Sequence, residues 1–145
     1  MSTGGNILPA LAAYKEFPGL EGATYYYYEI PKNRANDWLV AEHKKRFNAP
    51  PDFFTCGGMA AAMAVVEALS KTKGATDTDK IIAAMEGMSF DTPKGKMTFR
   101  KEDHQALQEM YAFKIKVDPN VAWAIPELTR VIKLDDMKVP IRNGR

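Results

Sequence analysis

The sequence has few of the residues that most often carry chemistry: one cysteine, two histidines and two tryptophans among 145 residues. A single cysteine excludes an internal disulfide framework. Two well-separated histidines and that cysteine match no metal-ligand spacing. No apolar run approaches the roughly 20 residues of a membrane span, and no charged segment followed by a long apolar one marks an export signal. We expect neither a metal nor a cofactor, and the chain as written would stay in the cytosol if Met1 is the native start.

Neither sign of charge predominates, because the chain has 20 basic and 18 acidic residues and a net charge of +2. This balance argues against a nucleic-acid partner, whose phosphates attract strongly basic surfaces. The one basic cluster, Lys44-Lys45-Arg46, lies within a helical pattern and is read as a solvated face. With 46% hydrophobic and 26% charged residues, the chain has the composition of one globular domain or part of one.

Helix and strand signals alternate along the first two-thirds of the chain. Apolar spacing and capping residues predict helices at 7–17, after an Asn33 cap, at 58–70, and from Thr76 or Thr78 to Gly87. Strands are predicted at 22–30, which is rich in tyrosine, and as a short buried segment at 52–56. This order is typical of parallel α/β architecture.

The pattern changes after Gly87. Met97 and Phe99 alternate with polar residues, and the segment from Tyr111 to Val117 alternates again. These two strands should each have one wet face and are expected to be antiparallel. The apolar residues within 121–145 show no regular spacing. A chain that leaves one lobe and enters another explains such a change better than one compact domain does.

The segment "PPDFFTCGGMAAAMAVVEAL" places Cys-Gly-Gly at a predicted strand-to-helix junction. Cys56 at a helix N-terminus could act as a nucleophile with His43 or His104 as the base, and Asp103 could orient His104, although the spacing is not specific. Alternatively, Gly57 and the helix N-terminus suit a small carboxylate, or the glycines make only a tight turn. The residues leave the anion site and the turn equally open, and both are preferred over the nucleophile.

A family resemblance is carried by that segment together with "DKIIAAMEG" and "FDTPKGKMTFRKEDHQALQEMY". These runs resemble the type I periplasmic solute-binding proteins, and most closely the leucine/isoleucine/valine-binding family that serves ABC importers. The resemblance covers about residues 22–117. Its most specific element is "TPKGKMTFRKEDHQ".

The resemblance implies an α/β chain that is part of a two-lobed, Rossmann-like periplasmic-binding-protein fold of type I. Because such proteins are considerably longer, this chain looks like a C-terminal portion. On that basis residues 1–31 end the second lobe and lead to the hinge, and residues 32–92 belong to the first lobe. Residues 93–109 then return through the hinge, and residues 110–145 supply second-lobe strands and the tail.

The implied function is that of a receptor, not an enzyme, which captures a small carboxylated solute by hinge closure and passes it to an ABC permease in the membrane. The solute would be an amino acid, including a branched-chain one, or an aromatic acid, and the full-length parent would be periplasmic. The family places an aromatic near the ligand before the Ala-rich helix. Phe54 matches that position, with Thr55, Cys56 and Gly57 beside it as ligand-binding candidates.

Two rival functions stay open at this stage. One is a cytosolic ligand-sensing or regulatory domain of the same fold, and the other is an enzyme that uses Cys56. A fragment of a two-lobed protein would also expose apolar surface where absent elements pack, so self-association is expected.

Overall fold

The computed structural model describes residues 7–142. In chain order, its elements are α1 (Leu8–Ala13), a 3₁₀ turn (Tyr14–Glu16), β1 (Glu21–Thr24), α2 (Arg34–Phe47), α3 (Phe53–Lys71), α4 (Thr78–Met85), β2 (Ser89–Thr92), β3 (Gly95–Phe99), β4 (Ala106–Leu107), β5 (Met110–Lys116), β6 (Ile125–Ile132) and α5 (Leu134–Met137).

The strands form two separate three-stranded sheets. The first has the order β1-β5-β6 and the second the order β2-β3-β4. Every pairing within residues 7–142 is antiparallel. The two alternating strands predicted near Met97 and Tyr111 exist, each with antiparallel neighbours, but they lie in different sheets. The parallel pairing expected for the first two-thirds of the chain is not found among these residues.

The first sheet packs on α1 through an apolar cluster. Leu11 and Phe113 are fully buried there, and Tyr27, Ile115 and Ala124 complete the cluster. Along β5 the odd-numbered residues from Tyr111 to Ile115 are buried and the lysines between and after them are exposed. The alternation read from the sequence therefore predicted correctly which face of β5 is buried.

The second sheet packs on α3 and α4. Buried Ala64 and Ala68 of α3 contact Met88 and Phe90 near and on β2. Since positions four apart share one helix face, small alanines at this spacing let the helix lie close to the sheet. The opposite face of α3 is apolar but exposed.

Both long helices begin at a side-chain cap. Asn33 Oδ1 accepts a hydrogen bond of 2.9 Å from the Asn36 amide, as the sequence predicted. Asp52 Oδ1 likewise accepts from the Thr55 amide at 3.0 Å, so α3 begins at Phe53. The strand predicted at 52–56 is therefore wrong. The β-prone side chains of that segment are outweighed by an aspartate N-cap, which satisfies a free amide of the first helical turn.

Other boundaries differ from the prediction for local reasons. β1 ends at Thr24, not at residue 30, and the far end of the predicted strand forms a turn in which the Ile30 amide bonds to the Tyr27 carbonyl. Asp77, rather than a threonine, caps α4. β6 and α5 had no sequence signal; β6 contains Pro126 and exposes half of its residues.

The 19-residue helix α3 also corrects an expectation. It has the length and apolar composition of a membrane span, which a core helix of a soluble protein can share. Only about a fifth of it, 22%, is buried among the described residues. Its apolar surface is thus larger than residues 7–142 cover.

Candidate ligand-binding site

A cavity of about 260 Å³ lies between α3 and the second sheet. Its apolar wall includes Ala60 and Ala64 of α3 and Phe90 and Phe99 of the sheet. Polar groups reach the same cavity from three other segments, through Tyr25, Lys94 and Gln108. A small apolar space with a few convergent polar groups is the usual form of a small-molecule site.

The four predicted ligand residues separate into two pairs. Cys56 and Gly57 line the cavity. Phe54 is 67% exposed on another side of the helix, and its ring lies 4.2 Å from the ring of Phe53, centroid to centroid. The Thr55 hydroxyl donates to the capping carboxylate of Asp52 at 3.2 Å. Ligand contact by any of the four stays a prediction.

Cys56 has the environment of a structural thiol. It is 1% exposed and lies in the second turn of α3, not at its first amide. Burial raises the pKa of Cys56 to about 12, although the charge of nearby Lys94 acts to lower it. The thiol is therefore protonated near neutral pH, whereas a nucleophile would need the thiolate.

The histidines considered as bases have other partners. His43 Nδ1 lies 2.7 Å from the Ala49 carbonyl oxygen, and His104 Nε2 lies 3.2 Å from a carboxylate oxygen of Glu86. Asp103 makes two hydrogen bonds with the guanidinium three residues earlier. The Cys/His/Asp set is thus not assembled in the structure.

Lys94 is the main charged group at the cavity, although no sequence pattern marks it as a site residue. It is only 7% exposed, and its Nζ lies 5.3 Å from the ring centroid of Tyr25 and 5.4 Å from that of Tyr111. Its ammonium donates to the Glu109 carbonyl. Burial lowers the pKa of Lys94 to about 7, and the nearby Cys56 and Glu109 act in the opposite direction. Aromatic faces partly compensate a buried cation.

Gly57 permits a close approach between α3 and Tyr25. A Cβ added at Gly57 would lie 2.9 Å from the Tyr25 hydroxyl oxygen, closer than side chains normally pack. That hydroxyl donates to the Phe53 carbonyl in the first turn of α3. The glycine therefore lets a tyrosine outside the helix close one side of the cavity.

Gly57→Ala is expected to lower the free energy of unfolding by about 1 to 3 kcal/mol, because the methyl group overpacks against Tyr25. Gly58→Ala is the matched control, since nothing lies within 4 Å of a Cβ there. It should raise the free energy of unfolding by about 0.5 to 1 kcal/mol through helix propensity. Urea unfolding of both variants checks this, and equal stabilisation by both would refute the close approach.

Gln108 completes the polar part of the cavity. Its Oε1 is buried and has no hydrogen-bond partner among residues 7–142. Lys94 has no local sequence signal, because the aromatic rings beside its ammonium belong to Tyr25 and Tyr111, which are distant from it in sequence.

Comparison with known proteins identifies relatives of the chain. The family model described as "Periplasmic binding protein" matches residues 1–120. No curated relative matches the chain. A crystal structure of an ABC-type branched-chain amino acid transporter from Rhodopseudomonas palustris CGA009 is 72% identical with a TM-score of 0.92, over 99% of this chain and 38% of that one.

Two further solved structures resemble the chain. A solute binding protein of an ABC transporter from Rhodopseudomonas palustris BisB5, in complex with 3,4-dihydroxy benzoic acid, is 30% identical over 81% of this chain and 31% of that one, with a TM-score of 0.71. A leucine-, isoleucine-, valine-, threonine- and alanine-binding protein from Brucella ovis shares the fold, at 18% identity and a TM-score of 0.73, over 99% of this chain and 38% of that one. The chain thus spans about a third of the length of each solved relative.

Proposed function

This chain belongs to the periplasmic binding protein family, and we propose that it is the C-terminal portion of the solute-binding component of an ABC importer, of the leucine/isoleucine/valine-binding branch. The observation that carries the proposal is the 72% identical structure, which this chain matches over 99% of its length. The α/β fold class inferred from the sequence is confirmed by the family match. The relatives are solute-binding proteins rather than enzymes, and the buried thiol of Cys56 favours the same role here.

The solute that we propose is a small carboxylated molecule, an amino acid or an aromatic acid. The cavity supports this, because an apolar space with one buried amine suits a carboxylate with an apolar body. One relative holds 3,4-dihydroxy benzoic acid, which has that chemistry.

The lobe assignment is part of the same proposal. Residues 21–24 and 110–132 share one sheet, while residues 89–107 form the other sheet on α3 and α4. This supports placing residues 1–31 and 110–145 in the second lobe, 32–92 in the first, and 93–109 in the hinge. Closure of the lobes would then be driven by ligand contacts to both.

Delivery to an ABC permease and a periplasmic location of the full-length parent complete the proposal. Both rest on family membership, since the chain covers 38% of the 72% identical relative. Binding of a solute does not depend on either.

Binding by this chain is tested with two acids, L-leucine and 4-hydroxybenzoate, against their amides, L-leucinamide and 4-hydroxybenzamide. We expect one acid to bind in calorimetry and to raise the melting temperature, since a ligand at 100 times its dissociation constant stabilises by about 2.7 kcal/mol. Cys56→Ser should bind within a few-fold of the wild type. Failure of both acids to bind, or equal binding of the amides, would contradict the proposed function of this chain.

The exposed face of α3 gives a separate prediction. Val66 is 67% exposed, and a groove beside it is lined by Trp38, Met59 and Met63. We propose that the remainder of a longer protein covers this face, and that isolated chains associate through it. Light scattering should show concentration-dependent dimers that Val66→Asp abolishes. The control Ile141→Asp, also at an exposed apolar residue, should keep them, and a monomeric wild type at high concentration would refute the association.

A further inference from the structure

The ammonium of Lys94 is buried and, in the part of the chain that the structure describes, is not paired with a carboxylate, although the charge of Glu109 acts on it from nearby. Among residues 7–142 it forms no ion pair, and its hydrogen bond goes to the Glu109 backbone carbonyl. A lysine has three N–H donors. Burying a charge is unfavourable unless it is paired and hydrogen-bonded. Lys94 therefore retains donor capacity at the wall of the cavity.

Gln108 has a buried acceptor that receives no hydrogen bond from the described residues. Its amide oxygen is shielded from solvent and accepts no hydrogen bond within the described part of the chain. Buried acceptors in native proteins are satisfied in the great majority of cases. Both residues line one cavity: Lys94 lies in the turn between β2 and β3, and Gln108 lies in the link between β4 and β5 that joins the two sheets.

The rest of the cavity wall limits what can satisfy them. The hydroxyls of Tyr25 and Thr92 also line the cavity, but each already donates to a backbone carbonyl. Ala60, Ala64, Phe90 and Phe99 offer no hydrogen bonds from their side chains. A volume of about 260 Å³ lies just below the range of about 300–1,000 Å³ of typical ligand pockets. The occupant must then be small and apolar in its middle, with polar groups at its ends.

We propose that Lys94 and Gln108 are the two polar anchors of this cavity: Lys94 binds the carboxylate of the solute, and Gln108 accepts a hydrogen bond from a hydroxyl or ammonium group of the same molecule. The inference rests on the proposed function and extends it. It names a bifunctional ligand, an acid that also carries a donor, and two residues that select it. Water that fills the cavity is the competing explanation, because it satisfies both groups without selecting any solute.

Calorimetry on the full chain tests the anchors with two sets of probes. The first is 4-hydroxybenzoate, benzoate without the donor, and 4-hydroxybenzamide without the charge. The second is L-leucine, 4-methylpentanoate and L-leucinamide, which differ in the same two ways. The variants are Lys94→Met and Gln108→Leu. Lys96→Met is the matched control, because Lys96 is exposed and pairs with Asp91 at the surface.

We expect Lys94→Met to weaken binding of the parent acid by about 10- to 100-fold, the effect of losing a hydrogen bond to a charged group, while Lys96→Met binds like the wild type. Removing the donor from the probe should weaken binding to the wild type about 5- to 10-fold for the neutral hydroxyl of 4-hydroxybenzoate, and about 10- to 100-fold for the charged ammonium of L-leucine. That loss should disappear in Gln108→Leu. The comparison of probes on the wild type needs no variant to fold.

The pH profile gives an independent result. Cys56, Glu109 and the phenols of Tyr25 and Tyr111 are the titratable groups around Lys94. With the pKa of Lys94 near 7, the protonated fraction of the unliganded chain falls between pH 6 and pH 8.5. Apparent affinity for the acid should fall at least tenfold over that interval.

The outcomes separate the two proposals. Binding of an acid that Lys94→Met leaves unchanged, or that does not vary with pH, overturns the Lys94 anchor and keeps the proposed function. A donor effect of the same size in Gln108→Leu overturns the Gln108 anchor. If neither parent acid binds the wild type, this inference and the proposed function of the chain fall together, and water is the occupant.

Discussion

Asn36→Ala is expected to lower the free energy of unfolding by about 3 to 5 kcal/mol, a large part of the stability of a small domain. Asn36 is 2% exposed, and its side chain makes three hydrogen bonds. Its Nδ2 donates to the carbonyls of Tyr28 at 2.9 Å and Pro31 at 3.0 Å, and its Oδ1 accepts from the Tyr26 hydroxyl at 2.8 Å. Alanine leaves all three partners without a bond in a region that excludes water.

Loss of these hydrogen bonds should also affect the cavity. Asn36 bonds to Tyr26 and Tyr28, which belong to the same run of tyrosines as the cavity residue Tyr25. Tyr26→Phe removes one of the three bonds and should lower the free energy of unfolding by about 1 to 2 kcal/mol. Asn120→Ala changes an exposed asparagine and should have little effect. Urea unfolding of the three variants gives the comparison, and a loss below 1 kcal/mol for Asn36→Ala would show that the network does not hold α2 in place.

Lys94→Met is expected to stabilise the unliganded chain at pH 6.5 and to remove an increase in stability that the wild type shows toward pH 8.5. Burial holds the pKa of Lys94 at about 7, against 10.5 for an ordinary lysine. The unfolded chain therefore binds more protons between these two values. Stability must rise with pH across that interval, by up to about 1.4 kcal/mol per pH unit.

The pH interval over which stability rises has an upper limit, which is set by the titration of Cys56. Its folded-state pKa of about 12 lies above the usual 9.0, so stability from this thiol is lost as pH rises above 9. Measured from pH 6.5 to 8.5, the wild type should gain about 2 kcal/mol. Lys94→Met should stay flat, and Lys96→Met should follow the wild type. A flat wild-type profile would mean that Lys94 is charged and solvated in the folded chain.

Helix starts were predictable where the signal is local. The Asn33 cap of α2 was read directly from the sequence, and α2 ends at Asn48, which has the positive φ, 51°, of a helix C-cap. The same kind of cap at Asp52 was overlooked, because the β-prone residues after it and the glycines at 57 and 58 suggested a strand and a turn. Backbone hydrogen bonding at a helix start outweighs β-propensity, which depends on neighbouring strands that this segment does not have.

The candidate site was less predictable than the fold. Cys56 and Gly57 were singled out for their place in the chain and do line the cavity, whereas Phe54 and Thr55 point elsewhere because α3 begins earlier than expected. A strand would have alternated these four side chains between two faces, while a helix turns them by about 100° each. Lys94 reads as a surface residue until Tyr25 and Tyr111 enclose it.

The discontinuity of the first sheet has a consequence for the order in which the protein forms on the ribosome. β1 pairs with β5, and Glu21 faces Lys114, about 90 residues later. At a synthesis rate of about 5–20 residues per second, β1 waits roughly 5 to 20 s for its partner. The second sheet and its helices emerge complete within that delay. The second sheet with α3 and α4, which lies between β1 and β5 in the sequence, is thus expected to fold first. Its folding then brings β1 and β5 together.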